Sequence, residues 1–360
     1  MAKTEKQYIT ISFDASREPL DELFWCEAVS EGDWTTIKTC DRFRSRKEIV
    51  ERISELTAAT IGVDFALSFP KGFFESLASE KITSHRELSK RIREDLKKNT
   101  EDGVRKWIEL IGRYRETKTE SPEEASARFS NNPLRRDRRR DIPVHERRSL
   151  IERFRRIDRI LRRMYPDAVA STLGVQYNRL TRRYEFVSAN ARGRSVLVGL
   201  SLIEQIREAK PEIAIWPYDK PKPLTIVEVF PNVFDRDISD PGKLREFFDH
   251  EEDNALYVPR EVREQVYAHA KAREALFTLL GMIAAERREN KMMRPLRDYR
   301  DAFYENEEVK FEGWVYGIGF KELQPKDVIE KQSKVSKPEV AVSEPSGEVV
   351  IDESPVTVAE

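Results

Sequence analysis

Alternation over residues 8–14, Y-I-T-I-S-F-D, sets Ile9, Ile11 and Phe13 on one face and Tyr8, Thr10, Ser12 and Asp14 on the other. That period of two predicts a half-buried strand ending in a carboxylate. Two further β-rich runs, 23–30 and 34–39, are separated by the turn residues Glu31, Gly32 and Asp33, which predicts a hairpin. The period then lengthens. Ser45 with Glu48 three residues on is a capping box, and Ile49, Ile53 and Leu56 form the apolar stripe of a helix ending near Thr57. Residues 60–65, T-I-G-V-D-F, are a nearly continuous apolar strand holding one carboxylate, Asp64. A helix between the hairpin and this strand implies a crossover back into the same sheet. Both acids then lie near the C-terminal ends of their strands, where open α/β sheets place ligands.

From residue 82 to 164 the spacing is helical, carried by Leu88, Ile92 and Leu96, by Val104, Trp107 and Ile111, and by Leu150, Phe154, Ile157 and Leu161. This predicts a helical insertion over about residues 80–170. After Arg194 another helix leads to the runs 213–218 and 225–230, the second a buried strand interrupted by Glu228. Residues 259–290 predict one long helix, uncharged from 275 to 285, with Glu274 at the mouth of that stretch. Beyond Gln324 no periodicity remains, and after Lys337 there are acids but no Lys or Arg. The expectation is one domain over residues 1–323 and a disordered tail over 324–360.

A chain of 360 residues with 39% hydrophobic content can bury a substantial core. Lys plus Arg is 64 and Asp plus Glu is 65, so no global charge draws the protein to nucleic acid or membrane. The charge is instead local. Residues 135–163 hold 13 basic and 5 acidic residues, including Arg135, Arg136, Arg138 and Arg139, a segment able to track phosphates or to pair along helix faces. No apolar run reaches signal-peptide or membrane-spanning length, so a cytoplasmic protein is expected. Cys26 and Cys40 form neither a disulfide framework nor a zinc pattern and are expected to be inert strand residues. Walker A, G-x-G-x-x-G, H-E-x-x-H and G-x-S-x-G motifs are all missing, which removes several common enzyme classes.

Carboxylates inside apolar strands are costly to bury unless paired, hydrogen bonded or bound to a cation. Asp14, Asp64 and Glu228 interrupt strands, and Glu274 stands at a buried helix. Converging, these four would repel one another unless cations intervened, and oxygen-only ligation favours Mg²⁺ or Mn²⁺. Two such ions form the clamp used for in-line phosphodiester hydrolysis. Taken singly, Asp14 and Asp64 could cap turns, Glu228 could pair with an arginine, and Glu274 could be a solvated helix residue. His269, Trp216 and Trp314 are expected to be structural.

The segments D-A-S at 14–16, F-W-C-E-A-V at 24–29, F-R-S-R-K-E at 43–48 and I-G-V-D-F-A-L-S-F-P-K-G-F-F at 61–74 resemble the family of predicted ribonuclease H-like nucleases, whose members are also labelled cobalamin-biosynthesis-like. I-W-P-Y-D at 215–219, V-E-V-F-P at 227–231, A-R-E-A-L at 272–276 and E-G-W-V-Y at 312–316 resemble further blocks in the same order. The resemblance implies an α/β ribonuclease H-like fold, a mixed five-stranded sheet ordered 3-2-1-4-5 with flanking helices. It also implies a metal-dependent nuclease with Asp14, Asp64, Glu228 and Glu274 as its catalytic and metal-binding acids. The arginines and Lys271 would contact nucleic acid. The chain departs from the family where two acids three apart are usual, since Lys271 and Glu274 stand there. A lysine in that place replaces part of a cation's charge or meets a phosphate. Two alternatives follow: a non-catalytic nucleic-acid or protein-binding module on the same fold, and an actin-like nucleotide binder. A-S-R-E-P after the first strand is poor for cradling phosphate and argues against the second.

Overall fold

The structure, a computed structural model, describes residues 5–13, 15, 20, 22–77, 81–118, 155–164, 175–178, 183–186, 192–231, 241–251, 255–288 and 293–318. Asp14, Arg135, Arg136, Arg138, Arg139 and the tail expected over 324–360 lie outside the described residues.

The alternating segment forms β1 (Glu5–Ser12), and the hairpin is β2 (Leu23–Glu31) with β3 (Trp34–Phe43). Glu31 faces Trp34 across a two-residue turn, where Gly32 takes the left-handed backbone, φ 61°, that such a turn requires. Helix α1 (Arg46–Glu55) starts on Ser45 as expected. The Ser45 hydroxyl accepts from the Glu48 N–H at 3.4 Å and donates to the Glu48 carboxylate at 2.8 Å. The crossover ends in β4 (Ala59–Val63), parallel to β1 with Ile9 beside Ile61. Then follow α2 (Lys71–Ser76), α3 (His85–Lys98), α4 (Thr100–Lys118) and α5 (Arg156–Met164). A hairpin of β5 (Val175–Asn178) and β6 (Arg183–Phe186), α6 (Arg192–Ala209), β7 (Ala214–Ile215) and β8 (Leu224–Glu228) come next. The chain continues as α7 (Pro241–Asp249), β9 (Leu256–Tyr257), α8 (Arg260–Ala268), α9 (Ala270–Arg287), β10 (Met293–Arg294), α10 (Asp301–Tyr304), α11 (Glu307–Glu312) and β11 (Gly317–Ile318).

Among the described residues seven strands form the central sheet in the order β7-β8-β4-β1-β2-β3-β9, with the run β7-β8-β4-β1 parallel, the β1-β2-β3 meander antiparallel and β9 parallel to β3. Seven strands replace the expected five because the short strands β7 and β9 extend both edges. Each side of the sheet carries helices. Ile9, Ile11, Ile61, Val63 and Ile226 pack with Ile49 and Ile53 of α1, Leu88 and Ile92 of α3, and Leu200 and Ile203 of α6. Tyr8, Phe24 and Cys26 on the opposite face pack against Ala272, Ala275, Leu276 and Leu279 of α9 and Val262 and Val266 of α8. At about 1.5–3 kcal/mol for each large side chain buried, these two layers dominate folding.

Two expectations are corrected. The single long helix over 259–290 is two, because His269 is extended, φ −126° and ψ 121°, between α8 and α9. Arg273 bridges the break by donating to the carbonyls of Val266 and Tyr267 at 3.0 and 3.1 Å. The β5–β6 hairpin lies beyond the expected helical insertion and was not read from the sequence. Cys26 and Cys40 are not separate strand residues. They are cross-strand partners joined by a disulfide, because the hairpin register sets them directly opposite one another. Trp216 and Trp314 are core residues as expected, with indole N–H groups donating to the Tyr304 hydroxyl at 3.2 Å and the Ile318 carbonyl at 2.8 Å. Among the described residues no helix is long and apolar enough to cross a membrane.

Candidate functional site

Strand parity decides which acids meet. Ile11 is level with Val63 and Val63 is level with Glu228, so these three share one face. Ser12, Asp64 and Val229 then share the other, toward α9. Gly62 permits this approach: a Cβ there would lie 2.6 Å from the Met282 sulfur and 2.8 Å from a Val229 methyl. With no side chain in the way, α9, which packs on β1 and β2, also closes against β4, and its first turns reach the C-terminal ends of β1 and β4. The Thr10 hydroxyl fastens it there by donating to the Ala275 carbonyl at 2.7 Å.

The result is a narrow cleft lined by Ser12, Asp64, Val229, Glu274 and Thr278. Lys271 stands among its acids, its ammonium 2.6 Å from the Glu274 carboxylate and 3.8 Å from that of Asp64. The side chains of Asp64, Glu274 and Lys271 are 15%, 28% and 31% exposed, so solvent reaches the cluster. Burial works against the charged ammonium, but Asp64 and then Glu274 outweigh it and hold Lys271 above the usual lysine range. The buried Ser12 hydroxyl, also on the cleft, has no hydrogen-bond partner among the described residues.

Glu228 is elsewhere. Its carboxylate enters the α3 and α6 side of the sheet and meets Arg155, which is fully buried. Arg155 uses five hydrogen bonds: both Glu228 oxygens, both Asp158 oxygens and the Glu312 carbonyl. The Leu67 N–H adds a bond to Glu228 at 2.9 Å. Burial pushes the Glu228 carboxyl up while the Arg155 guanidinium draws it back, and Arg155 stays charged because Asp158 and Glu228 overcome its own desolvation. Next to it, one Glu312 oxygen accepts from the Lys71 N–H at 2.7 Å and the other from the Arg156 N–H. One carboxylate thereby caps the first turns of both α2 and α5.

The four acids read from the sequence therefore fall into different places. Asp64 and Glu274 come together, Glu228 is separated from them by the sheet, and Asp14 lies outside the described residues. Among the described residues no group of three or more His, Cys, Asp or Glu side chains is arranged to hold a metal ion. Arg155, Asp158 and Glu312 were missed. The signal for Arg155 was the need of Glu228 for a partner, but the two are 73 residues apart and a dozen arginines competed for the role. No protein-family model, no curated protein and no solved structure matches the chain.

Proposed function

We propose that the chain is a ribonuclease H-like protein that hydrolyses nucleic-acid phosphodiesters at the cleft between β1, β4 and α9. The observation that carries this reading is the convergence of Asp64 and Glu274 on one cation, the Lys271 ammonium, at the C-terminal ends of two parallel strands. The run β3-β2-β1-β4-β8 within the sheet, with its antiparallel meander followed by parallel strands, supports the fold part of the proposal.

The donor set fits one divalent cation and not two. Asp64 and Glu274 supply hard oxygen ligands and the Ser12 hydroxyl, without a partner among the described residues, lies beside them, whereas Glu228 is committed to Arg155. Such a cation, Mg²⁺ or Mn²⁺, would supply Lewis acidity and a more acidic bound water. The residues do the rest. Asp64 and Glu274 set the negative field that selects a cation, and Lys271, freed from Glu274, would pair with a non-bridging phosphate oxygen. Asp14 remains a proposed ligand on its sequence position alone.

A second reading, a non-catalytic nucleic-acid or protein-binding module, is favoured by one feature: Lys271 already neutralises Glu274 at 2.6 Å. Metal titration separates the two. On the hydrolytic reading millimolar Mn²⁺ raises the thermal midpoint, by about 2.7 kcal/mol of stabilisation at a hundredfold excess over Kd, and Asp64→Asn removes the effect. Wild type then cuts DNA or RNA oligonucleotides in Mn²⁺ and Asp64→Asn does not. No thermal response and no cleavage across single- and double-stranded substrates would leave the binding module.

A further inference from the structure

The two ends of β1 are built differently. Period two turns the main-chain groups of Glu5, Gln7, Ile9 and Ile11 toward β4, and the Ile11 carbonyl accepts from the Asp64 N–H at 3.2 Å on that side. Pairing with β2 runs the whole length of β1 to Glu5, but pairing with β4 begins only at Tyr8, level with Thr60. The Glu5 carbonyl and the Gln7 N–H therefore form a short bare edge of the sheet, with no main-chain partner among the described residues. Both residues line a groove of about 890 Å³, together with Ala58, Ala59, Pro221, Pro223, Leu296 and Tyr304. Its volume lies in the range of small-ligand sites, roughly 300–1,000 Å³.

The lining restricts what can fill the groove. Its cations are committed: Lys6 meets Glu286 at 3.0 Å, Arg297 meets the same carboxylate, and Lys220 meets Asp301 at 3.0 Å. A phosphate finds no spare positive charge there among the described residues. The bare edge asks instead for a neutral group with a donor beside an acceptor, because the Glu5 carbonyl accepts and the Gln7 N–H donates. An added peptide strand is blocked past Gln7, since β4 already occupies that line. A second polar group points the same way. Tyr8 lines the groove and is only 4% exposed, and its hydroxyl has no hydrogen-bond partner among the described residues. Burial holds its phenol above the usual range, so it remains a neutral donor. The Tyr304 oxygen accepts from the Trp216 indole at 3.2 Å, which leaves its own hydrogen to donate. Prolyl, leucyl and tyrosyl walls suit a flat ring.

We propose that this groove binds an adenine-type base, carried as its nucleoside. The Glu5 carbonyl accepts from the exocyclic amino group, the Gln7 N–H donates to the ring nitrogen beside it, and the Tyr8 hydroxyl meets the ribose. The groove lies at the N-terminal ends of β1 and β4, whereas the cleft of Asp64 and Glu274 lies at their C-terminal ends. Asp64→Asn therefore leaves it intact, and each proposal fails on its own.

Calorimetric titration of the full chain tests it, with adenosine, adenine, N6,N6-dimethyladenosine and 1-deazaadenosine as probes. Adenosine should bind with Kd under about 1 mM. The dimethyl analogue lacks the donor and the deaza analogue the acceptor, so each should bind about tenfold more weakly or worse. Tyr8→Phe keeps the buried ring and removes the hydroxyl, and should weaken adenosine about fivefold while leaving adenine unchanged. Ala58 is exposed, so Ala58→Trp fills the groove without entering the core; it should abolish binding and leave the thermal midpoint in place. Four results each overturn the proposal: no heat from adenosine at about 10 mM, either analogue binding as tightly as adenosine, undiminished adenosine binding by Tyr8→Phe, or wild-type affinity in Ala58→Trp.

Discussion

Two carboxylate and cation clusters sit at the C-terminal ends of neighbouring parallel strands, on opposite faces of the sheet. Arg155, Glu228 and Asp158 are 1–3% exposed at their side chains, with every guanidinium donor bonded. Lys271, Glu274 and Asp64 are 15–31% exposed, with the ammonium 2.6 Å from Glu274 and 3.8 Å from Asp64, beside the Ser12 hydroxyl, which has no partner among the described residues. The first cluster is complete without anything added, and its role is to dock the start of α5 and the end of α11 onto the sheet. In the second, water competes for each charge and the partners can exchange, which is what a binding site requires. Acids at strand ends are therefore ambiguous until their surroundings are known.

The comparison breaks most visibly at Arg155. Arg155→Met leaves Glu228 and Asp158 facing each other in a dry interior, and should cost about 3–5 kcal/mol in urea unfolding. Arg155→Lys recovers little of it, since three donors on a point charge cannot replace a planar fork making five bonds. If Arg155→Met is neutral, the sealed cluster is no anchor and the contrast between the faces disappears.

His85 extends the sealed face, because Leu67 donates to Glu228 through its N–H and accepts from His85 through its carbonyl. Burial, aided by the nearby Arg207, pushes the His85 imidazole down from 6.5 to about 3. With the folded value below the unfolded one, the stability from a neutral His85 is present above the unfolded value and is lost as pH falls toward the folded value. Between pH 7 and pH 5 the loss is about 2 kcal/mol. His85→Phe should lack that component, so the two unfolding free energies converge as pH falls across this interval.

A smaller effect belongs to Glu312, which caps two helices with one carboxylate. Glu312→Gln sets an amide N–H₂ against one of the two backbone donors and should cost about 1–2 kcal/mol. Hydrogen exchange at the first turns of α2 and α5 locates the loss. Protection retained at both would show that the carboxylate does not hold them.

Local periodicity carried most of the fold. The alternation of Ile9, Ile11 and Phe13, the Gly32 turn and the Ser45–Glu48 box each reappear where the pattern put them, because each depends on residues a few positions apart. The edge strand β9 was illegible and β7 showed only as part of the apolar run 213–218, since two-residue strands exist only through their neighbours. The break at His269 was hidden because apolar spacing runs through it; it follows from α8 packing on β3 while α9 packs on β1 and β2. At the site, the presence of costly acids could be read, but their convergence could not. Register, Val63 against Glu228, decides that Glu228 and Asp64 point opposite ways, and register between strands 160 residues apart is not written locally.

The smallest effect sharpens the comparison most. Lys271→Met removes the cation of the open cluster while keeping its aliphatic stem, and should change stability at pH 7 by less than about 1 kcal/mol, because solvent already screens both ion pairs. Raising salt to about 1 M should erase even that, which it would not do for a dry pair. The pH dependence has a definite sign. Lys271 is held above the usual lysine range when folded, so its contribution is complete below the unfolded value and disappears as pH rises through the folded one. Wild type and variant should then coincide in strongly alkaline solution. On the hydrolytic reading the same substitution strengthens the Mn²⁺ response, since Glu274 loses its resident counter-ion, and slows cleavage, since the phosphate loses its ammonium partner. A stability loss near that of Arg155→Met would mean that the open cluster is sealed like its counterpart, and the cleft would then be a structural ion pair.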